Sequence, residues 1–253
     1  MGNTGLRRTL RGRTIIVTRP RVAAQSLAAR LRARGARVIF APLIRTAPPR
    51  SWRALDAALK NISQFDAVVF TSGNAVAFFF ARMKKTLKKK PASPRILAAV
   101  GAATAKAAAA HGWRCTIVPE DSRAAGLVRV LRLKRGARVL LPRAEHGLDV
   151  LSDGLRACGA HVTPAVAYRT LLDDAGRKTL RRALRLGADA VCFASGSAVV
   201  ALGARVLKPA AVAIGPTTAA ALRARGIVPA AIAKKPDPEA FAQAVERALT
   251  RPR

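Results

Sequence analysis

The sequence predicts an α/β protein made of two doubly wound parallel-sheet domains. The first observation behind this prediction is that short apolar runs alternate with helix-length segments along almost the whole chain. The second is that motifs of the first half recur in the same order in the second half. Alternating strands and helices are typical of a parallel sheet covered by helices on both faces, and an internal duplication yields two such sheets.

The apolar runs are short and carry few charges, as expected of strands that are buried on both faces. They predict ten strands: Thr14–Thr18, Val38–Ala41, Ala67–Phe70, Ile96–Val100, Thr116–Val118, Val139–Leu141, Val162–Val166, Ala190–Phe193, Val212–Ile214 and Ile227–Pro229. The segment Lys84–Pro94 is predicted to be a charged, solvated loop at a helix end. Each remaining interval is long enough for a helix.

The duplication is visible in four pairs of motifs. They are RGRTIIVTRP from Arg11 with RGARVLLPRA from Arg135, GARVIFAPLIRT from Gly35 with GAHVTPAVAYRT from Gly159, FDAVVFTSGNAV from Phe65 with ADAVCFASGSAV from Ala188, and AVGAATA from Ala99 with AIGPTTA from Ala213. Asp66 and Asp189 occupy equivalent places just before their strands, so we expect both to be structural. Two similar domains leave a cleft between them as the default ligand site.

Charge is the unusual feature of the composition. The 253 residues include 46 Lys and Arg against 13 Asp and Glu, which gives a formal net charge of +33 and favours anionic partners. Aromatic residues make up only 4%, so the stacking platforms of single-strand binders are poorly supplied. Each basic residue taken alone is explained by a solvent-exposed helix face. Only the total net charge indicates an anionic partner.

Several classes of protein are disfavoured. Charged residues interrupt every long apolar run, and Met1–Arg13 has no apolar core, so we expect a cytoplasmic protein without membrane association. Cys115, Cys158 and Cys192 lack metal-ligand spacing and are expected to be buried thiols rather than metal ligands. The glycine-rich nucleotide motifs, the GxSxG nucleophile motif and His/Cys clusters are missing from the sequence.

Small polar residues follow the predicted strands at the points where helices begin. Such turns are TRP at Thr18, TSGN at Thr71, ASGS at Ala194, and the GxxTA turns at Gly101 and Gly215. The carboxyl ends of parallel strands form the binding edge of an open sheet, and free N–H groups at helix N-termini attract anionic oxygens. Ser and Thr are also ordinary helix caps, and Gly permits tight turns, so each residue alone has a structural explanation.

Eight motifs occur in a characteristic order: GRTIIVTRP, FDAVVFTSGNAV, AAVGAATA, GWRCTIVPED, GARVLLPRAEHG, the AYRT around Tyr168, ADAVCFASGSAV and AVAIGPTTAAAL. Together they resemble the uroporphyrinogen-III synthase family over nearly the whole chain. The resemblance implies two flavodoxin-like domains joined by a two-stranded linker. Domain 1 would comprise residues 1–42 and 171–253, domain 2 residues 47–166, and the linker residues 42–47 and 166–171. The repeats alone fit two contiguous halves equally well.

The resemblance also implies a reaction in porphyrin and heme biosynthesis. Hydroxymethylbilane, a linear tetrapyrrole with eight carboxylates, would lose water, invert ring D through a spiro intermediate and close to uroporphyrinogen III. No cofactor or metal is implied, and we expect a monomer. The implied substrate-binding residues are Arg19, Ser72, Gly73, Thr104, Arg143, Ser195, Gly196, Thr217 and Thr218. Tyr168, the single tyrosine of the chain, matches the residue associated with departure of the hydroxyl.

Two alternatives stay open because a charge of +33 exceeds what eight carboxylates require. One is a nonenzymatic protein that binds nucleic acid or another polyanion on a synthase-like scaffold. The other is a two-domain sensor of small anions. Tyr168 and the two GxxTA turns favour the enzyme, because neither alternative needs them.

Overall fold

The chain forms two compact units in the computed structural model, which describes residues 8–121, 124–146, 149–203 and 207–250. Unit 1 comprises Met1–Arg45 and Leu171–Arg253, and unit 2 comprises Thr46–Thr170. Residues 1–7 of the segment Met1–Arg13, on which the expectation of a cytoplasmic protein partly rests, lie outside the described residues. Among the described helices, none is long and apolar enough to cross a membrane.

Unit 1 contains a parallel sheet with helices on both faces. Its strands are β1 (Thr14–Val17), β2 (Arg37–Phe40), β8 (Ala190–Phe193), β9 (Ala210–Ala213) and β10 (Ala231–Ile232), numbered in chain order over both units. They lie in the order β10-β9-β8-β1-β2. Its helices are α1 (Arg21–Ala33), α7 (Asp174–Arg185), α8 (Gly196–Ala201), α9 (Pro216–Arg223) and α10 (Pro238–Thr250). Helices α7, α8 and α9 pack on one face, and α1 and α10 pack on the other.

Unit 2 contains the second sheet. Its strands are β3 (Ile44–Ala47), β4 (Ala67–Phe70), β5 (Ile96–Ala99), β6 (Arg138–Ala144) and β7 (His161–Leu172), in the order β3-β7-β6-β4-β5. Its helices are α2 (Arg53–Lys60), a 3-10 turn at Ile62–Gln64, α3 (Gly73–Thr86), α4 (Ala102–Ala110), α5 (Ala124–Val130) and α6 (Val150–Ala157). Helices α2, α3 and α4 cover one face, and α5 and α6 cover the other. The chain passes between the units within β3 and within β7.

The internal duplication is reproduced in the topology. The order β2-β1-β8-β9-β10 in unit 1 corresponds to β7-β6-β4-β5 in unit 2, and a parallel bridge from Ala98 to Ile117 takes the place of β10. Counted along the repeat, this is the order 2-1-3-4-5 of flavodoxin-like folds. The predicted fold class, two doubly wound α/β domains related by duplication, is therefore confirmed.

The two duplicated aspartates are structural, as predicted. The carboxylate of Asp66 accepts a hydrogen bond from the N–H of Arg138 at 2.8 Å, and that of Asp189 accepts one from Thr14 at 2.8 Å. Arg138 and Thr14 are the first residues of the equivalent strands β6 and β1. Each carboxylate thus satisfies a backbone donor at the amino-terminal edge of its sheet, where a neighbouring strand begins.

The prediction of a strand at Ile227–Pro229 is wrong. The N–H of Ile227 donates to the carbonyl of Leu222 at 3.0 Å and so closes the C-terminus of α9, while Pro229 has no N–H to donate. The strand lies instead at Ala231–Ile232 and pairs with β9. Around Thr116–Val118 the sheet gains only the single bridge at Ile117.

Two local predictions also need correction. Lys84 and Lys85 belong to helix α3, not to a loop, because the buried residues Phe80 and Met83 continue the apolar face of the helix almost to its end. Cys158 is exposed, whereas Cys192 is buried and Cys115 is half-buried. Cys158 directly follows α6, where the chain turns toward β7 at the surface.

Candidate functional site

In unit 2 the turn after β4 leads directly into helix α3. Ser72 has an extended backbone, with φ −159° and ψ 155°, and its Oγ accepts a hydrogen bond from the N–H of Ala75 at 3.1 Å. This is the geometry of a helix N-cap, and it satisfies one of the four N–H groups that a helix leaves unpaired. The remaining N–H groups of the first turn point beyond the carboxyl end of β4.

Unit 1 repeats this arrangement after β8. Ser195 has φ −163° and ψ 153°, and its Oγ accepts from the N–H of Ala198 at 3.2 Å. Both serines predicted to bind substrate therefore use an oxygen lone pair to cap their own helices. The hydroxyl hydrogen of each serine stays available for donation to another group.

The glycines that follow these serines leave space beside the helix N-termini. A Cβ at Gly73 would lie 3.9 Å from the Cβ of Ala107, and one at Gly196 would lie 3.6 Å from that of Ala221. A Cβ at Gly215, the N-cap of α9, would have no protein atom within 4 Å. Because the protein does not fill these positions, an anionic oxygen can approach the backbone N–H groups closely.

The threonines of the GxxTA turns differ in exposure. Thr104 and Thr218, each the third residue of its helix, are only 8% and 4% exposed, whereas Thr217 is exposed. The N-caps of α4 and α9 are Gly101 and Gly215, which supply no side-chain cap. Of the three predicted threonine ligands, Thr217 therefore presents its hydroxyl most openly to a solute.

Tyr168 lies on β7 beside an irregularity in the sheet. Arg143 pairs with Val166 but the next residue, Ala144, pairs with Tyr168, so Ala167 is an extra residue on β7. Bulges of this kind re-aim a side chain. Tyr168 joins Ala165 and Ala167 in the hydrophobic cluster under α3, and its ring stacks on that of Phe78 with centroids 5.7 Å apart.

The bulge brings the phenol to the capping serine. The Oη of Tyr168 lies 3.2 Å from the Oγ of Ser72, and Tyr168 is 9% exposed. Since Ser72 already accepts from Ala75, its hydroxyl can donate to Tyr168, which leaves the phenol hydrogen free for a further acceptor. The carbonyl of Tyr168 accepts from the N–H of Glu145 at 2.8 Å, which holds the bulged strand in place.

The two predicted arginine ligands have different surroundings. Arg19 follows β1 and is exposed, although neighbouring protein atoms partly desolvate its guanidinium and lower the pKa of Arg19. The side chain of Arg143 is 15% exposed and pairs with Asp149, the N-cap residue of α6. The hydrogen bond from Arg143 lowers the pKa of the Asp149 carboxyl. Of the two arginines, Arg19 is the more accessible to an anion.

Sequence reasoning missed three residues that shape this site. Phe78 supports the tyrosine ring, Asp149 pairs with Arg143, and Glu145 anchors the bulge. The one signal in the sequence was the run of three consecutive phenylalanines in α3, Phe78–Phe80, which does not show which of these rings meets Tyr168. The partner of Phe78 is set by the bulge, which the sequence does not mark.

Comparison with known proteins gives the family. The family model described as "Uroporphyrinogen-III synthase HemD" matches residues 25–243, which is most of the chain. The chain belongs to the uroporphyrinogen-III synthase family. Membership agrees with the strand order of both units and with the predicted duplication.

Individual relatives support the same assignment. The uroporphyrinogen-III synthase of Synechococcus elongatus is 35% identical over 161 residues, covering 63% of this chain and 61% of that protein. The chain thus spans less than two thirds of this curated relative. Two crystal structures share the fold. A mutant uroporphyrinogen III synthase from Thermus thermophilus has 24% sequence identity and a TM-score of 0.70, and the match covers 94% of this chain and 99% of that one. The uroporphyrinogen-III synthetase from Helicobacter pylori has 23% sequence identity and a TM-score of 0.63, and the match covers 92% of this chain and 98% of that one.

Proposed function

We propose that this chain is a uroporphyrinogen-III synthase that closes hydroxymethylbilane to uroporphyrinogen III. The substrate loses its hydroxyl as water, ring D is inverted through a spiro intermediate, and the macrocycle closes without a cofactor. The observation that carries the proposal is the Tyr168 hydroxyl at 3.2 Å from Ser72, at the N-terminus of α3. Because the chain belongs to the uroporphyrinogen-III synthase family, we interpret these two hydroxyls as part of the active site.

Tyr168 is proposed to act as a hydrogen-bond donor to the leaving hydroxyl. A phenol O–H can donate a hydrogen bond, and the electron-rich pyrrole supplies the main driving force for loss of the hydroxyl. Ser72 orients the phenol by donating to its oxygen. The stacked ring of Phe78 restricts rotation of the tyrosine side chain.

The helix N-termini of both units are proposed to bind the substrate's acetate and propionate groups. Gly73, Gly196 and Gly215 expose backbone N–H groups, and Thr217 and Arg19 add an exposed hydroxyl and an exposed guanidinium. Helix N-termini carry partial positive charge, so several of them suit an octacarboxylate. We assign Thr104, Thr218, Ser195 and Arg143 to support of these turns, since each is buried or holds a partner within its own unit.

The domain boundaries, the cleft between the domains, the monomeric state and the cytoplasmic location inferred from the sequence stay predictions. The catalytic proposal is tested by mixing purified protein with hydroxymethylbilane and following loss of the linear tetrapyrrole. We expect catalytic amounts of protein to accelerate ring closure over the spontaneous reaction. Tight binding without acceleration would contradict the enzyme and favour the small-anion sensor.

A further inference from the structure

The amino-terminal edge of unit 2, opposite the candidate active site, is strongly basic. It holds a first cavity of about 580 Å³ beside the starts of β4, β5 and β6, with Asp66, Ile96 and Ala137 among its lining residues. Four cations line this cavity: Arg95, Arg132, Lys134 and Arg135. All four side chains are exposed, and among the described residues none of them has a carboxylate partner.

A second cavity of about 430 Å³ lies at the C-terminal ends of α3 and α4. In a parallel sheet the helix after each strand runs back, so these helix ends lie at the same edge as the strand starts. Four exposed lysines line this cavity: Lys84, Lys88, Lys89 and Lys90. Its apolar lining includes Phe80, Met83 and Leu87, and the ring of His111 stacks on Phe80 with centroids 4.5 Å apart.

The charge at this edge is poorly neutralised. The two cavities together have eight cations against one carboxylate, that of Asp66, so their formal balance is 8 − 1 = +7. The Asp66 carboxylate also accepts a hydrogen bond from the N–H of Arg138, so it is held at the start of β6. Like charges gathered at one edge repel one another, and a bound polyanion relieves that repulsion. Binding also releases the counterions condensed on the polyanion, which favours the complex.

The described cavity at the equivalent edge of unit 1 has fewer cations. This cavity of about 360 Å³ is lined by Lys208 and Arg225, and Arg225 donates to the carbonyl of Gly203 at 3.0 Å. The duplication alone therefore produces a cavity at this edge but not its charge. Among the described cavities at the amino-terminal edges of the two sheets, each cavity of unit 2 is lined by four Lys or Arg residues, whereas that of unit 1 is lined by two.

We propose that the amino-terminal edge of unit 2 binds single-stranded nucleic acid through its phosphate backbone. Eight cations without a carboxylate partner among the described residues suit a polyphosphate chain, although Lys90 also donates to the carbonyl of His111. The two cavities also have apolar lining residues and can admit unstacked bases. His111, stacked on Phe80, offers an exposed ring for a base. A duplex cannot use these floors because its bases are paired and stacked.

The test is binding of a labelled oligothymidine of about 20 nucleotides by fluorescence anisotropy, between about 50 and 200 mM salt. Two triple variants remove charge at the edge: Arg95→Gln/Arg132→Gln/Arg135→Gln and Lys84→Gln/Lys88→Gln/Lys89→Gln. A matched control removes three exposed charges from α7 of unit 1: Lys178→Gln/Arg182→Gln/Arg185→Gln. All three variants lower the net charge by the same amount.

If all eight cations contact phosphates, log Kd should change with log salt by a slope of about 5 to 6, since each contact on a single strand contributes about 0.7. Each edge variant should lower this slope by about 2 and weaken binding at least about tenfold at low salt, while the control changes little. Equal losses in the control would overturn the site, as would preference for duplex over single strand. Because these residues lie opposite Ser72 and Tyr168, turnover of hydroxymethylbilane should persist in both edge variants, so the two proposals fail separately.

Discussion

The hydroxyl of Tyr168 lies 3.2 Å from the hydroxyl of Ser72, although 96 positions separate the two residues in the chain. The contact joins the bulged end of β7 to the N-cap of α3. A hydrogen-bonded chain therefore runs from the N–H of Ala75 through Ser72 to the phenol. When Ser72 donates to Tyr168, the phenol hydrogen is left for a further acceptor, which we propose to be the leaving hydroxyl of the substrate.

Replacing Tyr168 with Phe tests the free end of this chain. The variant keeps the ring stacked on Phe78 and removes only the hydroxyl, so stability should fall by no more than about 0.5 to 1.5 kcal/mol. Turnover should slow by at least about tenfold, and at most by the roughly 10² to 10⁴-fold that general acid catalysis contributes. Steady-state kinetics and thermal unfolding measure the two effects. A well-folded variant with wild-type kcat would show that the phenol only packs.

Ser72→Ala and Ser195→Ala form a matched pair. Each variant loses an N-cap, which should cost about 0.5 to 2 kcal/mol of stability, and each should raise KM through disorder of its helix N-terminus. Only Ser72 contacts Tyr168, so only Ser72→Ala should also lower kcat, by about tenfold. Equal kcat values in the two variants would argue against positioning of the phenol by Ser72.

Gly73→Ala tests whether the helix N-termini bind carboxylates. The new methyl would meet no protein atom nearer than 3.9 Å, and Ala is the better helix former, so stability should hold or rise by up to about 1 kcal/mol. The methyl would occupy the space through which an anion reaches the N–H groups, so KM should rise about tenfold or more. Gly196→Ala should behave alike in unit 1. Unchanged KM in both variants would show that these turns are only structural.

The pH dependence of stability in unit 2 is set in part by Asp56. Arg82 donates two hydrogen bonds of 2.6 Å to this carboxylate and thereby lowers the pKa of Asp56. A lowered pKa means that the stabilisation is fully present above the ordinary aspartate pKa of about 3.9 and is lost as the pH falls through the folded-state value. Asp56→Asn should therefore cost about 1 to 2 kcal/mol at neutral pH and progressively less below about pH 4.

Tryptophan fluorescence can follow this effect, because Trp52 and Trp113, the two tryptophans of the chain, both belong to unit 2. Asp153→Asn is the control, since its pair with Arg156 is a solvent-exposed i, i+3 contact with little expected effect. A constant difference between wild type and Asp56→Asn down to pH 2 would contradict the linkage.

The sequence predicts most of the fold because the strands are buried on both faces. β4 (Ala67–Phe70) and β8 (Ala190–Phe193) coincide with the predicted runs, and all their residues are buried. The error at Ile227–Pro229 arose because apolar character does not reveal that the N–H of Ile227 closes a helix. Local patterning identifies burial well, but it does not identify how each backbone group is paired.

The candidate site was predicted less completely. The turns at Ser72 and Ser195 were located because strand ends and helix caps leave local signals. The contact between Tyr168 and Ser72 depends on the bulge at Ala167 and on packing against Phe78, and both are long-range properties. The exposure of Thr217 and burial of Thr218 likewise follow from the packing of α9, not from the residue types.

The identity of the porphyrin formed from hydroxymethylbilane tests the central claim most directly. Ring closure without inversion of ring D gives isomer I, whereas closure with inversion gives isomer III. Purified protein should convert the substrate to uroporphyrinogen III, identified after oxidation by chromatographic separation of the uroporphyrin isomers. Formation of isomer I alone, at the rate of the protein-free reaction, would contradict the assignment of this chain as a synthase.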